Sequence, residues 1–183
     1  MAAIRLDSTA LALSVLALAG PVLHVDVDGD RFSDAVTLAH GRLVVETRVG
    51  VVSTRVPAGA RLDGALHLHG LQGALLLVRV GSSARVTDAV YRVFPDGLRR
   101  VHVRGAADDG LVRSGGSATV VDFDCGVAPL TVDQIAASPN GSSWDETVLT
   151  YALGMRGLVL QHVRRVTVSA RAASTRRCAI VRR

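Results

Sequence analysis

Four aspartates crowd into Asp26-Val27-Asp28-Gly29-Asp30-Arg31-Phe32-Ser33-Asp34, at positions 1, 3, 5 and 9 of the run. Calcium is a hard cation that takes about 6–8 oxygen ligands at roughly 2.3–2.6 Å. A tight loop with acids at alternate places turns them toward one centre. Phe32, at position 7, adds a backbone carbonyl, which needs no particular side chain. Without a cation, carboxylates this close repel one another. The spacing therefore predicts a structural Ca2+ loop held by Asp26, Asp28, Asp30, Asp34 and the carbonyl of Phe32. The competing reading is an acidic surface turn between two strands. The run is no EF-hand: Thr37 stands where the bidentate Glu is needed, and Ala35-Val36-Thr37-Leu38 reads as a strand rather than a helix.

The remaining candidates are weaker. His67 and His69 alternate, so on a strand they face one side and can share a metal. No third ligand lies nearby, and two exposed strand residues is the plainer reading. Trp144-Asp145-Glu146 fits either a sugar-binding face or a partly buried Trp anchoring a loop. No Gly-x-Ser-x-Gly elbow, His-Glu-x-x-His frame, Walker loop or dinucleotide fingerprint is present. The chain reads as a non-enzyme. The enzymatic alternative is a secreted hydrolase with a degenerate site, which needs a histidine beside an acid inside a cleft.

The elements that must position these residues read as strands. Among 183 residues, 49% are apolar and only 3% aromatic, and valine is abundant. β-branched residues suit a pleated sheet. Leu43–Val49 and Val51–Val56 flank Gly50, and Ala74–Val80 is an apolar run expected to be buried on both faces. Ala89–Phe94 and Leu98–Arg104 flank Pro95-Asp96-Gly97, a strong hairpin signal. The layout returns with Val148–Leu153, a turn from Gly154 to Gly157, then Leu158–Leu160 and Val163–Val168. Leu130–Ala137 is expected to form a short helix. Ser138–Ser143 and Ala106–Ser117 read as loops. The fold class is all-β.

With those residues in view, His24–Val56 resembles a repeat of the FG-GAP/VCBS type, which carries an Asp-x-Asp-x-Asp-Gly-x-x-Asp loop leading into an apolar strand. The resemblance implies antiparallel blades of a β-propeller, calcium in the loops, and a secreted or cell-surface binding module. Asp26, Asp28, Asp30 and Asp34 match the ligand positions. Arg31 departs from the glycine usual at the sixth place. Left-handed backbone there costs a non-glycine residue about 1–2 kcal/mol. Two echoes follow. His67-Leu68-His69-Gly70-Leu71-Gln72-Gly73-Ala74-Leu75 keeps the glycine and the strand but loses every acid, and Asp122-Phe123-Asp124-Cys125-Gly126 keeps the first two acids. Three degenerate repeats fall short of the usual 4–8 blades, so the arrangement is expected to be incomplete or compact.

At the N-terminus, residues 1–19 read as a signal peptide, with an apolar run from Ala10 and Ala17-Leu18-Ala19 as the cleavage pattern; a buried helix or strand is the alternative. Residues 20–170 then form one β domain and residues 171–183 a basic tail. All 21 basic residues are arginine, and no acid follows Glu146. A polyanion partner through the C-terminal arginines is thus the third functional reading. Cys125 and Cys178 form an even pair; if joined in an oxidising compartment they add about 4 kcal/mol. No run past the N-terminus is long enough for an integral membrane span. The overall expectation is a secreted, calcium-binding β-repeat module whose partner is an extracellular protein or carbohydrate.

Overall fold

The computed structural model describes residues 21–82, 85–106, 109–114, 120–124, 131–140, 143–169 and 180–181. Residues 1–19, expected to be a signal peptide, both cysteines and most of the basic tail lie outside these residues. The described chain is all strand and turn, without a helix, and so without a helix that is long and apolar enough to cross a membrane.

Three antiparallel four-stranded meanders follow one another. The first is β1 (Leu23–Val25), β2 (Asp34–Ala39), β3 (Arg42–Thr47) and β4 (Gly50–Arg55). The second is β5 (Arg61–Leu66), β6 (Leu75–Ser82), β7 (Arg85–Phe94) and β8 (Gly97–Val101). Two short strands follow, β9 (Val103–Arg104) and β10 (Leu111–Ser114). The third meander is β11 (Val120–Asp124), β12 (Thr131–Asn140), β13 (Ser143–Gly154) and β14 (Gly157–Ser169), and β15 (Ile180–Val181) ends the series. Long β7 pairs with β6 on one edge and with two strands on the other: Val90–Phe94 with β8, and Arg85–Asp88 with β10. β9 joins β14 in parallel, tying the second unit to the third. Within the Arg-rich C-terminal stretch, Ile180 and Val181 pair with Leu66 and Ala65 on the free edge of β5. Among the described residues the sheets do not close into a barrel or ring.

The sheets stack in chain order, with the second in the middle. Side chains alternate across a strand, so β6 faces both ways: Leu76 and Val78 join a core with Val25, Val36, Leu43 and Val45 of the first sheet. Leu75 and Leu77 join a second core with Phe123, Val132, Tyr151 and Leu158 of the third. This is why Ala74–Val78 is apolar without interruption, and all five are fully buried.

Three local expectations are corrected. Leu130–Ala137 is no helix: residues 131–137 belong to β12, paired with β13 along its length and with β11 over Asp133–Ala137. A short Val/Ile/Ala run carries no decisive period, and pairing on both edges satisfies its backbone groups. The loop expected over Ser138–Ser143 is strand at both ends, because β12 continues to Asn140 opposite Ser143, where β13 begins. Among the described residues β11 pairs with β12 no further than Ala137, so Pro139 lies beyond the last described partner on that edge. The Ala106–Ser117 connection contains β10, which caps the first half of β7.

Candidate metal centre

The Asp26–Ser33 segment links β1 to β2, and Asp34 is the first residue of β2. Its fold is set by its own carboxylates. Asp26 accepts the N–H groups of Gly29 and Arg31 at 2.7 and 3.0 Å, one on each oxygen. Asp28 accepts from the Asp30 N–H at 3.1 Å, and Asp30 from the Phe32 N–H at 2.8 Å. Asp34 accepts from the Val27 N–H at 2.8 Å across the loop. Gly29 and Arg31 both have left-handed backbone, with φ of 87° and 72°. Arg31 therefore carries the strain expected of a non-glycine residue at the sixth place.

These turns bring Asp26, Asp28 and Asp34 together, each offering a carboxylate oxygen within 4.8 Å of the others. Asp30 stands outside that cluster, and the Phe32 ring is exposed with the Arg48 guanidinium 4.5 Å from its centroid. Asp34 is only 2% exposed. Burial pushes its carboxyl above the ordinary carboxylate range; the Val27 N–H opposes this, while the charges of Asp28, Asp30 and Asp26 add to it. Among the described residues, no arginine or histidine forms an ion pair with any of the four aspartates. The donor set is all oxygen, with one desolvated carboxylate and no basic partner. That chemistry suits a hard cation and not zinc or copper.

The second unit buttresses the loop. Residues 67–74, between β5 and β6, occupy the equivalent place, and Gly70 repeats the left-handed conformation of Gly29 with φ of 80°. The two loops touch: the Ala74 N–H donates to the Asp26 carbonyl at 3.0 Å. A Cβ on Gly73 would fall 2.3 Å from the Val27 carbonyl oxygen, and one on Gly29 would fall 2.8 Å from the Gln72 Cβ. Only glycines permit this approach. The third echo differs, since Asp122 and Asp124 lie within β11 itself. The His67 and His69 expectation is corrected: neither is on a strand, because the chain leaves β5 at Leu66.

Elsewhere, Trp144 is half-buried on β13, opposite Pro139 and Val168. His102 sits beside an acid, with Nδ1 2.9 Å from Asp109 Oδ2, at the edge of a groove between the second and third units. Among the described residues lining that groove, none carries a hydroxyl or thiol to act as a nucleophile beside the pair. Sequence reasoning missed the groove, and it missed Gly73 as the residue that lets two loops meet. Comparison of the chain with family models, curated proteins and solved structures finds no match.

Proposed function

We propose that the chain is a calcium-stabilised β-repeat binding module of the FG-GAP/VCBS-like kind, exported and non-enzymatic, with its three meanders as blade-like units. The observation that carries the reading is the convergence of Asp26, Asp28 and buried Asp34 with no basic partner among the described residues. Asp30 and the Phe32 carbonyl are the further oxygens that would complete the coordination. The repeat reading is supported by the placement of the first two motif copies between first and second strands of their meanders. A bound cation would relieve the crowding of charge and hold β1 against β2. Because Asp26 also holds Ala74, it would hold the first unit against the second. The module would leave its outer surfaces and grooves for a partner.

Calorimetric titration of the full chain with calcium tests this, with Asp28→Ala run in parallel. One site that the variant loses supports the proposal. Absence of binding at millimolar calcium, or equal binding by the variant, overturns it.

A further inference from the structure

The β7–β8 hairpin places two arginines where a sheet normally avoids them. Arg92 and Arg99 are direct cross-strand partners, and like charges opposite one another destabilise a ladder. Both guanidiniums lie on the same aromatic ring, 5.2 and 4.8 Å from the centroid of Phe94. Phe94 itself faces Gly97, whose missing side chain leaves that ring open to them. Arg99 has one exposed ion pair, to Asp96. Among the described residues no acid pairs with Arg92 or with Arg156.

Arg156 lies across a groove of about 580 Å³ from this pair, on the exposed Met155-Arg156 turn between β13 and β14. The opposite wall is held in place. The Leu158 N–H donates to the His102 carbonyl at 2.8 Å, and a Cβ on Gly157 would fall 2.2 Å from that same oxygen. The other basic groups of the wall are already engaged: Asp109 bonds His102 and the Val103 N–H, and its backbone carbonyl accepts from Arg100 at 2.8 Å. The groove thus presents three guanidiniums on two rigid walls, two of them with no acid partner among the described residues.

We infer that this groove binds an acidic polysaccharide through Arg92, Arg99 and Arg156. A planar guanidinium matches sulfate and carboxylate oxygens in a forked geometry, and stacking on Phe94 pre-orients two of them. Three guanidiniums spread over a groove this size ask for a chain of anions rather than one ion. A single-stranded nucleic acid is the poorer fit. Base stacking needs open aromatic faces, and among the described residues the one phenyl ring lining the groove is engaged by arginines. The inference stands apart from the calcium reading, and it places anion binding in the body of the fold rather than in the C-terminal tail.

The test is fluorescence anisotropy of a labelled heparin oligosaccharide with the full chain in EDTA, so that calcium plays no part. Arg92→Gln/Arg156→Gln is expected to weaken binding about tenfold, taking a few-fold per partly exposed contact. Arg156→Gln alone, on an exposed turn that cannot disturb folding, is expected to weaken it about threefold. Arg176→Gln/Arg177→Gln is expected to change it less than twofold. Log affinity should fall with log salt at a slope of about −2 to −3. The inference is overturned if heparin does not bind, if the groove variants bind like the parent, if the tail variant carries the loss, or if a single-stranded oligonucleotide binds more tightly than heparin.

Discussion

Replacing Asp34 by Asn separates the two roles that the loop assigns to that carboxylate. Asn keeps an oxygen in place to accept the Val27 N–H, which now reaches Asp34 at 2.8 Å, and it keeps the shape of a side chain that is 2% exposed. What it removes is the charge. Two unit charges 4.8 Å apart repel by about 1 kcal/mol in water and by about 3.5 kcal/mol at an effective dielectric of about 20. Asp34 faces two such neighbours, and solvent reaches Asp26 and Asp28, so relief of about 1–3 kcal/mol is reasonable for the cation-free protein. Exchanging a charge-assisted for a neutral hydrogen bond gives back about 1 kcal/mol. In chelator, Asp34→Asn should therefore melt at the parental temperature or a few degrees above it. The pH dependence has the same sign. A carboxyl raised in the fold disfavours the folded state as it ionises, so cation-free stability falls as pH rises from the ordinary carboxylate range through the raised value; the variant lacks that fall. With calcium at about 100 times its dissociation constant, the parent gains about 2.7 kcal/mol, or about 5–10 °C for a chain of this size. The variant should gain less than about a third of that. Differential scanning fluorimetry in EDTA and in calcium reads both effects. Equal calcium shifts in parent and variant, or a variant melting more than about 5 °C lower in EDTA, would refute the reasoning.

Two further outcomes follow from contacts around the site. Gly73→Ala forces a Cβ to 2.3 Å from the Val27 carbonyl at a φ of 75°, so it should cost about 2–4 kcal/mol and weaken calcium binding from a distance, checked by urea unfolding and calorimetry. Asp109 is pushed up by burial, but His102, the Val103 N–H and Arg100 together hold its carboxyl below the ordinary range. Its contribution is thus present above the unfolded carboxylate value and lost as pH falls through the depressed one. Asp109→Asn should cost about 0.5–1 kcal/mol at neutral pH, given its partial exposure, and the difference from the parent should shrink in urea melts as pH falls below the ordinary carboxylate range.

Legibility in the sequence followed the range of the interactions. Hairpins closed by short turns, β3 with β4, β7 with β8 and β13 with β14, were readable because turn chemistry and strand pattern are local. The double burial of β6 was readable from its unbroken apolar run. β12 was not, because Val132, Ile135 and the alanines fit either period and only the flanking strands decide. In the same way β10 is four residues whose identity as a strand comes from β7. The aspartate loop was visible as four carboxylates at fixed spacing. Its contact with residues 67–74 was not, since loops far apart in the chain meet only once two sheets have packed. The Arg92–Arg99 pair was not legible either: a two-residue Asp96-Gly97 turn would set Arg92 opposite Val101, whereas the chain turns at Pro95-Asp96 and Phe94 faces Gly97. The Arg156 wall depends on the parallel pairing of β9 with β14, which no local pattern announces.

The most direct measurement is a calcium titration followed by backbone amide NMR. With a cation held by the aspartate loop, shifts concentrate at Val27, Gly29, Arg31 and Asp34, with a smaller response at Ala74 through its bond to Asp26, and His67–Leu71 stay still. Amides that do not move with calcium, or that move first in the second or third unit, would contradict that placement.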